Sequence, residues 1–301
     1  MMKTLPIILL CCFAACTIFS FTHTNIPGAR PALRTIIIDA GHGGRDRGAH
    51  GEYSYEKDIC LDIAVKLGKN LETAFPDIKI LYTRTTDIYP EIKARADFAN
   101  SNHGDLFISI HVNAGPRIRH SKFIGYRNQT SYTGRGRKRK KVTRRVAKYN
   151  IYYTDNPSNG TETYIWAADR TDEKEKFIGE DVNTEQIIDS TAEYVPDLND
   201  PEFKAKALLW TKRYFDKSYL LASFVEESFI GQGRFSRGVK QRNEKGIWVL
   251  QATSMPSILV ETGFITYKTD EDYLNSEKGQ EEIAANILDA VKKYRHATEG
   301  K

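Results

Sequence analysis

The strongest constraint on the fold is a set of short apolar runs of strand length, separated by stretches with helical periodicity. Residues 36–38 form a run of three isoleucines that leads into a glycine-rich turn, and the runs at 106–112 and 255–260 are nearly as apolar. Apolar residues recur at helical spacing over 56–71 and 281–294. Such alternation is typical of a parallel sheet that is covered on both faces. We therefore expect an α/β fold with a twisted, mostly parallel sheet flanked by helices on both faces.

The composition is that of a globular chain with enough residues for a substantial core. The sequence has 301 residues, of which 28% are charged and 40% are hydrophobic, and this balance excludes a disordered or fibrous protein. Three of the four cysteines, Cys11, Cys12 and Cys16, lie near the N-terminus. This distribution excludes a disulfide scaffold and a cysteine-rich zinc module. We expect the remaining Cys60 to be a buried structural thiol.

The N-terminus has the pattern of an export signal. Lys3 precedes an apolar stretch over 5–21, and polar residues follow it. We expect residues 1–24 to be a signal peptide that directs the chain to the periplasm or cell envelope. Two alternatives stay open. One is lipidation at Cys16, which follows two alanines, and the other is an uncleaved anchor, because the apolar stretch is near the lower limit for a membrane span.

Charge is strongly segregated along the chain. Thirteen Lys and Arg residues lie within 117–148, and no acidic residue occurs within 106–154. Eleven acidic residues follow within 169–200. Neither charged stretch continues the alternation of strands and helices, so we interpret both as insertions into the α/β framework.

Residues suited to a metal site follow three of the predicted strands. His42 lies in the glycine-rich turn after the first strand, His111 near the end of the second, and Glu261 directly after the last. Glu56 opens the helix that follows the His42 turn. These residues can meet because ligands bind where parallel strands end. Two imidazoles and a carboxylate make a three-ligand zinc site with an open fourth position, where a bound water becomes a nucleophile and a second carboxylate takes its proton.

Each of these residues also has an ordinary structural interpretation when it is taken alone. A single histidine in a turn or after an apolar strand is most often a structural residue. Glu56 is also a favourable first-turn acid, because a helix dipole stabilises negative charge there. Glu261 is harder to explain structurally, since an acid after four apolar residues needs a partner.

The sequence around these residues resembles the zinc-dependent N-acetylmuramoyl-L-alanine amidases of the amidase-3 family. The similar blocks occur in the same order as in that family and together span about 35–294. They are 38–44, 48–49, 56–58, 83–87 with Arg95, 99–100, 105–114, 237–240 and 255–265. The resemblance implies that His42, Glu56 and His111 bind Zn²⁺ and that Glu261 is the catalytic carboxylate.

The resemblance also implies a substrate and a reaction. The expected substrate is peptidoglycan, and the expected bond is the amide between the lactyl group of N-acetylmuramic acid and L-alanine of the stem peptide. We expect a catalytic domain over 33–297 with a basic insertion at 115–159 and an acidic insertion at 169–203. Asp39 is either a partner of a ligand histidine or a strand-end turn acid. Glu162, where the family pattern resumes, is interpreted as a structural or rim residue.

Three other functions or partners are compatible with parts of the pattern. Another exported zinc peptidase or deacetylase would share the metal chemistry. The basic insertion, which is longer than the link usual in the family, would suit an anionic envelope polymer or a membrane surface. Nucleic acid is a less suitable partner for an exported chain, although a basic run can bind phosphates by counterion release.

The acidic insertion suggests regulation. Some amidases of this family carry a segment that covers the zinc until a partner protein removes it. A carboxylate of the acidic insertion would be able to take the open zinc position in the same way. Glu180, Glu185 and Glu193 are the candidates, and a protein activator is the corresponding partner. The alternative is a solvated acidic loop.

Overall fold

A computed structural model describes residues 33–168, 174, 201–242 and 246–300, with the side chains of 201–204 left out of the description. Its strands are β1 (Thr35–Ala40), β2 (Lys79–Tyr82), β3 (Leu106–Asn113), β4 (Ile118–Thr133), β5 (Lys140–Thr154), β6 (Thr161–Ile165), β7 (Ser236–Gln241) and β8 (Ser257–Phe264). Its helices are α1 (Glu56–Ala74), α2 (Ile92–Ser101), α3 (Pro201–Gly231), α4 (Trp248–Ala252), α5 (Lys268–Leu274) and α6 (Glu277–Glu299).

The central sheet has six strands in the order β2-β1-β3-β8-β6-β7. All of its pairings are parallel except that between β6 and β8. This arrangement confirms the predicted α/β fold with a mostly parallel sheet. The antiparallel pair places β6 beside β8, and β6 directly follows the basic insertion in the chain.

Both faces of the sheet are covered, which explains why its central strands are apolar throughout. Ile36 and Ile38 of β1 face the core formed with α1, α3 and α6, whereas Ile37 faces a smaller core on the side of α2 and α4. Successive side chains of a strand point to opposite faces, so a strand buried on both sides needs apolar residues at every position. Cys60 is buried in the larger core, as expected.

Several elements extend beyond their predicted bounds. The sequence suggests a helix over 218–230, but α3 begins at Pro201. Glu261 is expected directly after a strand, but β8 continues to Phe264 and Glu261 lies inside it. Strand β8 extends past Glu261 because this residue still pairs with both neighbouring strands, in register with His111 of β3 and Glu162 of β6.

The basic insertion at 115–159 forms a long antiparallel ribbon from β4 and β5, which the charge pattern did not predict. None of the residues in these two strands is buried, and among the described strands they pair only with each other. Without a buried face, the ribbon lacks the regular apolar alternation that identifies a strand in a sequence. Its strands are held by cross-strand pairs and backbone hydrogen bonds.

Some predictions lie outside the described residues. The signal peptide at 1–24, including Cys16, is one, and the candidate carboxylates Glu180, Glu185 and Glu193 are others. Of the acidic insertion, the description covers only Lys174 and the backbone at the start of α3. None of the helices in the described part of the chain has the length and apolar character of a membrane span.

Candidate metal centre

The face of the sheet that bears the smaller core becomes polar towards the carboxyl ends of its strands. In β3, Phe107 belongs to the smaller core, and His111 follows it on the same face. In β8, Leu259 belongs to that core, and Glu261 comes next on the same face. Every second residue of a strand lies on the same face, so on this face each strand changes from apolar to polar near its carboxyl end. Polar side chains that are distant in the chain therefore meet at that edge of the sheet.

A strained turn presents His42 at this edge. His42 has a backbone φ of 59°, a region that non-glycine residues rarely occupy, and Gly43 and Gly44 follow with φ of 122° and 53°. Two buried arginines hold the turn by donating to backbone carbonyls. Arg95 donates to Ala40 and His42, and Arg84 donates to Ala40 and Gly41. The arginines therefore fix an otherwise unfavourable backbone conformation.

Glu56 joins the two histidines. His42 Nε2 lies 3.1 Å from Glu56 Oε2, and His111 Nδ1 lies 2.9 Å from Glu56 Oε1. Each carboxylate oxygen also accepts a backbone N–H, that of Ala49 at 2.7 Å and that of Val112 at 3.0 Å. The predicted ligands His42, Glu56 and His111 are thus brought together, and their ligand atoms all lie within 4.8 Å of one another.

Hydrogen bonds within the cluster shift the pKa values of its members. Burial lowers the pKa of His42, but hydrogen bonds with Glu56 and Asp46 outweigh it and raise that pKa to about 9. Burial raises the pKa of Glu56, yet hydrogen bonds from both histidines bring it well below its ordinary value. The cluster therefore keeps its carboxylate ionised and strongly attracts positive charge.

Asp46 is a member of this cluster that sequence reasoning missed. The His42 Nδ1–H donates to Asp46 Oδ2 at 2.8 Å, which orients the ring so that Nε2 faces Glu56. An acid four residues after a histidine in a glycine-rich turn was the available signal. The structure does not place Asp39 against either histidine, so its proposed role as a histidine partner is wrong.

Asp39 instead forms a buried charged network. Its carboxylate accepts from Arg95 Nη1 at 2.6 Å, Thr83 Oγ1 at 2.6 Å and Ser109 Oγ at 2.7 Å. Burial raises the pKa of Asp39, but Arg95 and these hydrogen bonds bring it below its ordinary value. Because Arg95 also holds the His42 turn, Asp39 acts on the site indirectly.

Glu261 is the second carboxylate of the site. It is only 8% exposed, lies in register with His111, and its Oε2 has no hydrogen-bond partner among the described residues. Burial raises its pKa to about 7. Such a carboxyl group can both accept and release a proton near neutral pH.

Glu162 lies opposite Glu261 but is fully paired. Its carboxylate accepts from Asn113 and Tyr164 on one oxygen and from Arg237 and Lys240 on the other. Burial raises the pKa of Glu162, but hydrogen bonds from these partners bring it below its ordinary value, and the bond from Lys240 contributes most to this lowering. The structural interpretation of Glu162 is consistent with this pairing.

The four predicted residues open onto one cavity of about 440 Å³. His42, Glu56, His111 and Glu261 all line it, and Arg242 and Trp248 belong to the same lining. His50, a further histidine near the His42 turn, lines a second depression together with Gly115 and Glu271.

The donor set fits a zinc ion. Two imidazoles and one carboxylate are ligands that zinc takes in sites where water or substrate completes the coordination. The carboxylate–histidine contact between Asp46 and His42 is the kind of supporting interaction found behind such ligands. Metal ligands must be deprotonated, so a divalent cation would replace the proton that the cluster otherwise attracts.

The chain resembles known proteins over most of its length. The model of the N-acetylmuramoyl-L-alanine amidase family matches residues 36–293. The amidase AmiC of Escherichia coli is 30% identical over 272 residues, which cover 89% of this chain and 55% of that protein. The chain thus spans about half the length of AmiC. A putative amidase of Buchnera aphidicola is 29% identical, with 86% of this chain and 95% of that protein covered.

A solved structure has the same architecture. The N-acetylmuramoyl-L-alanine amidase of Clostridium difficile 630 superposes with a TM-score of 0.55 at 25% identity, covering 87% of this chain and 97% of that one. The family match covers the turn that carries His42 and the strands that carry His111 and Glu261. The chain therefore belongs to the N-acetylmuramoyl-L-alanine amidase family.

Proposed function

We propose that this chain is a zinc-dependent cell-wall hydrolase. It cleaves the amide between the lactyl group of N-acetylmuramic acid and L-alanine of the peptidoglycan stem peptide. The observation that carries the proposal is the juxtaposition of the His42–Glu56–His111 cluster with the buried Glu261 carboxylate in one cavity, where Glu261 Oε2 has no hydrogen-bond partner among the described residues. Family membership supplies the substrate class.

His42, Glu56 and His111 are the proposed zinc ligands. A zinc ion bound there would polarise the scissile carbonyl and lower the pKa of a water molecule. Arg95 and Arg84 hold the backbone of the His42 turn and Asp46 orients the ring, so His42 is ordered before the metal binds. Gly41 allows His111 to pack closely, because a Cβ at this position would lie 2.5 Å from the ring.

Glu261 is the proposed proton carrier. Its Oε2 has no protein partner among the described residues, so it is available to take a proton from the attacking water. It then delivers that proton to the leaving amine of L-alanine, which must leave as a neutral amine. Burial favours the protonated form of Glu261 and so strengthens it as the acceptor in the first transfer, while a pKa of about 7 still lets it release the proton in the second.

The competing activities are less well supported. A zinc peptidase or deacetylase would use similar metal chemistry, but the matching family is named for the muramoyl-alanine amidase activity. A protein that only binds an anionic polymer does not need the metal cluster and the proton carrier together. We therefore retain the amidase reaction.

The cellular setting follows from the same proposal. Its substrate lies outside the cytoplasmic membrane, and residues 1–24 have an export pattern, with lipidation at Cys16 as the alternative to cleavage. The acidic insertion at 169–203 is proposed as the segment on which a protein activator would act.

A defined soluble substrate tests the reaction. Purified protein should release a free L-alanine amine from an N-acetylmuramoyl peptide, lose this activity on chelation and regain it when zinc is added. The His111→Ala variant should bind no zinc and stay inactive after zinc is added. Hydrolysis that survives complete metal removal would refute the zinc mechanism.

A further inference from the structure

The ribbon of β4 and β5 is the largest feature of the described chain that the proposed reaction does not use. Its strands are 16 and 15 residues long, which corresponds to roughly 50 Å of extended chain. The cross-strand register runs from Ile118↔Thr154 to Thr133↔Lys140, with one irregularity between Phe123 and Gly125. A two-stranded ribbon of this length gains little stability alone, so an unpaired face suggests a contact surface.

Register separates the two faces of the ribbon. Residues directly opposite each other share a face, and the pairs Arg119↔Tyr153, Phe123↔Tyr149 and Tyr126↔Ala147 therefore alternate onto one side. Ring contacts agree, because the Phe123 ring lies 5.2 Å from that of Tyr126 and 5.7 Å from that of Tyr149. We call this side the aromatic face; its large side chains are Phe123, Tyr126, Tyr132, Tyr149, Ile151 and Tyr153.

The aromatic face is open to solvent. Phe123 is 48% exposed, Tyr126 57% and Tyr149 54%. Polar residues such as Asn128 and Thr130 alternate onto the same side, and Ile151 is the only large aliphatic residue among its paired positions. A surface of this kind offers flat rings and hydrogen-bonding groups together rather than a continuous apolar patch.

Cations lie among the rings and become denser towards the turn. The Arg145 guanidinium lies 4.2 Å from the centre of the Tyr126 ring, and that of Arg139 lies 4.6 Å from the Tyr132 ring. Eight of the thirteen basic residues of the insertion fall within 135–145. No acidic residue is present in either strand, so an anionic partner meets no repulsion there.

The base of the ribbon is attached to the rim of the candidate metal centre. Asn113, the last residue of β3, lines the cavity and donates to Glu162. Beyond it, Gly115 N donates to Thr266 Oγ1 at 2.9 Å, and Asn156 donates to the Pro116 carbonyl at 3.1 Å. A polymer held in the cavity therefore passes close to the point where the ribbon begins.

We infer that the aromatic face binds the peptidoglycan strand next to the bond being cut, an inference that rests on the proposed function. The apolar faces of the sugar rings stack on the Tyr and Phe rings, and stem-peptide carboxylates pair with the interleaved Arg and Lys side chains. The ribbon thus gives the enzyme affinity for the polymer that a single muropeptide is too short to use.

The composition of the face favours a hydrated polymer over a bilayer. Insertion into a membrane interface requires a substantial apolar surface, whereas Ser121, Asn128 and Thr130 interrupt this face. A single-stranded nucleic acid would also stack on aromatic rings, but the ribbon begins at the rim of a cavity proposed to hold a muramoyl peptide. Membrane and nucleic acid are therefore alternative outcomes of the test.

Two matched variants of the full chain test this inference. The aromatic-face variant combines Phe123→Ser, Tyr126→Ser and Tyr149→Ser. The control variant combines Val142→Ser, Val146→Ser and Tyr152→Ser, which removes three apolar side chains from the opposite face. Both are made in wild-type and Glu261→Gln backgrounds, so that binding is measured without digestion of the substrate.

Two measurements are made on each variant. Binding to purified sacculi is measured by co-sedimentation of the Glu261→Gln proteins. Hydrolysis by the other proteins is measured on sacculi and on a soluble N-acetylmuramoyl peptide. We expect the aromatic-face variant to lose about tenfold or more in sacculus affinity, as loss of three ring contacts implies, and to cut sacculi correspondingly more slowly. Its rate on the soluble peptide and its thermal unfolding midpoint should match those of the control.

Several results would overturn the inference. The inference fails if the aromatic-face variant binds sacculi as tightly as the unsubstituted protein. It also fails if the control variant loses as much sacculus affinity as the aromatic-face variant. Selective loss of binding to anionic phospholipid vesicles would identify a membrane surface, and selective loss of binding to single-stranded DNA would identify nucleic acid. Faster cleavage of the soluble peptide would indicate that another part of this chain covers the face.

A deletion keeps the test decisive if the triple variant unfolds. Residues 119–153 are replaced by a short Gly-Ser linker, which removes the whole ribbon and leaves its base. The deleted protein should cut the soluble peptide normally and bind sacculi weakly; full sacculus binding would contradict the inference. Failure of wild-type protein to cut the soluble peptide would refute the proposed reaction instead, and the binding comparison would still report on the ribbon.

Discussion

Glu261 and Glu162 face each other in register across the antiparallel pair of β8 and β6, yet their surroundings differ sharply. Glu162 is paired with Arg237 and Lys240, whereas Glu261 Oε2 is buried without a hydrogen-bond partner among the described residues. Burial raises the pKa of Glu261 to about 7, and the pairing brings that of Glu162 below its ordinary value. This difference in environment supports the proposed division of roles, with Glu261 in proton transfer and Glu162 in structure.

The Glu261→Gln substitution should separate catalysis from metal binding. The amide fills the same space but does not accept a proton, so turnover should fall by about 10²–10⁴-fold. Zinc content, measured by atomic emission on the purified protein, should stay at one per chain. An empty metal site in this variant would make Glu261 a ligand and leave the proton carrier unassigned.

Asp46→Ala should weaken zinc binding without removing a ligand. Loss of the contact with His42 Nδ1 frees the ring to rotate, and affinity should fall about 10–100-fold. Competition with a chromophoric zinc chelator gives the dissociation constant. Asp58→Asn is the matched control, because it removes an exposed negative charge two residues from Glu56 without touching either histidine. Equal affinities of the two variants would contradict the orienting role.

Asp39→Asn should destabilise the metal-free protein at neutral pH by about 3–5 kcal/mol, because it leaves Arg95 buried without its counter-charge. The pKa of Asp39 is lowered by folding, so its contribution is present above the unfolded value of about 4 and is lost as the pH falls through the folded value. The stability gap between wild type and variant should therefore narrow only in that acidic range.

Urea unfolding of chelator-treated protein between neutral and acidic pH measures this gap. Asp97→Asn, which breaks the exposed pair with Lys93, serves as the control and should change stability little at any pH. A gap for Asp39→Asn that stays constant down to the lowest pH would show that the buried pair with Arg95 is not its cause.

Gly48→Ala should disturb the metal ligands directly. Gly48 has φ of 65°, and a Cβ there would lie 2.6 Å from Glu56 Oε2 and 2.7 Å from His42 Cδ2. Gly233→Ala carries similar backbone strain at φ of 81°, but its Cβ meets nothing within 4 Å. Both variants should lose about 1–2 kcal/mol of stability from the strain, and only Gly48→Ala should also lose zinc affinity. Normal zinc binding by Gly48→Ala would show that the ligands can move aside.

The α/β fold was predictable because the strands buried on both faces carry apolar residues at every position, as 36–38 do. The juxtaposition of His42, Glu56 and His111 was predictable because they lie in recognisable blocks near strand and helix ends, and their role as zinc ligands remains a proposal. The role of Arg95 was not predictable from the sequence. Its hydrogen bonds to the backbone carbonyls of Ala40 and His42 depend on how α2 packs against the His42 turn. The ribbon was missed because strands without a buried face leave no regular apolar period.

Digestion of purified sacculi followed by mass spectrometry of all products tests the central claim most directly. The account predicts glycan strands whose N-acetylmuramic acid residues carry a free lactyl carboxylate, together with stem peptides that begin with a free L-alanine amine. Neither product should form with chelated enzyme or with the His42→Ala variant. Stem peptides cut between amino acids, or glycans that lose acetyl groups while keeping their peptides, would contradict the account.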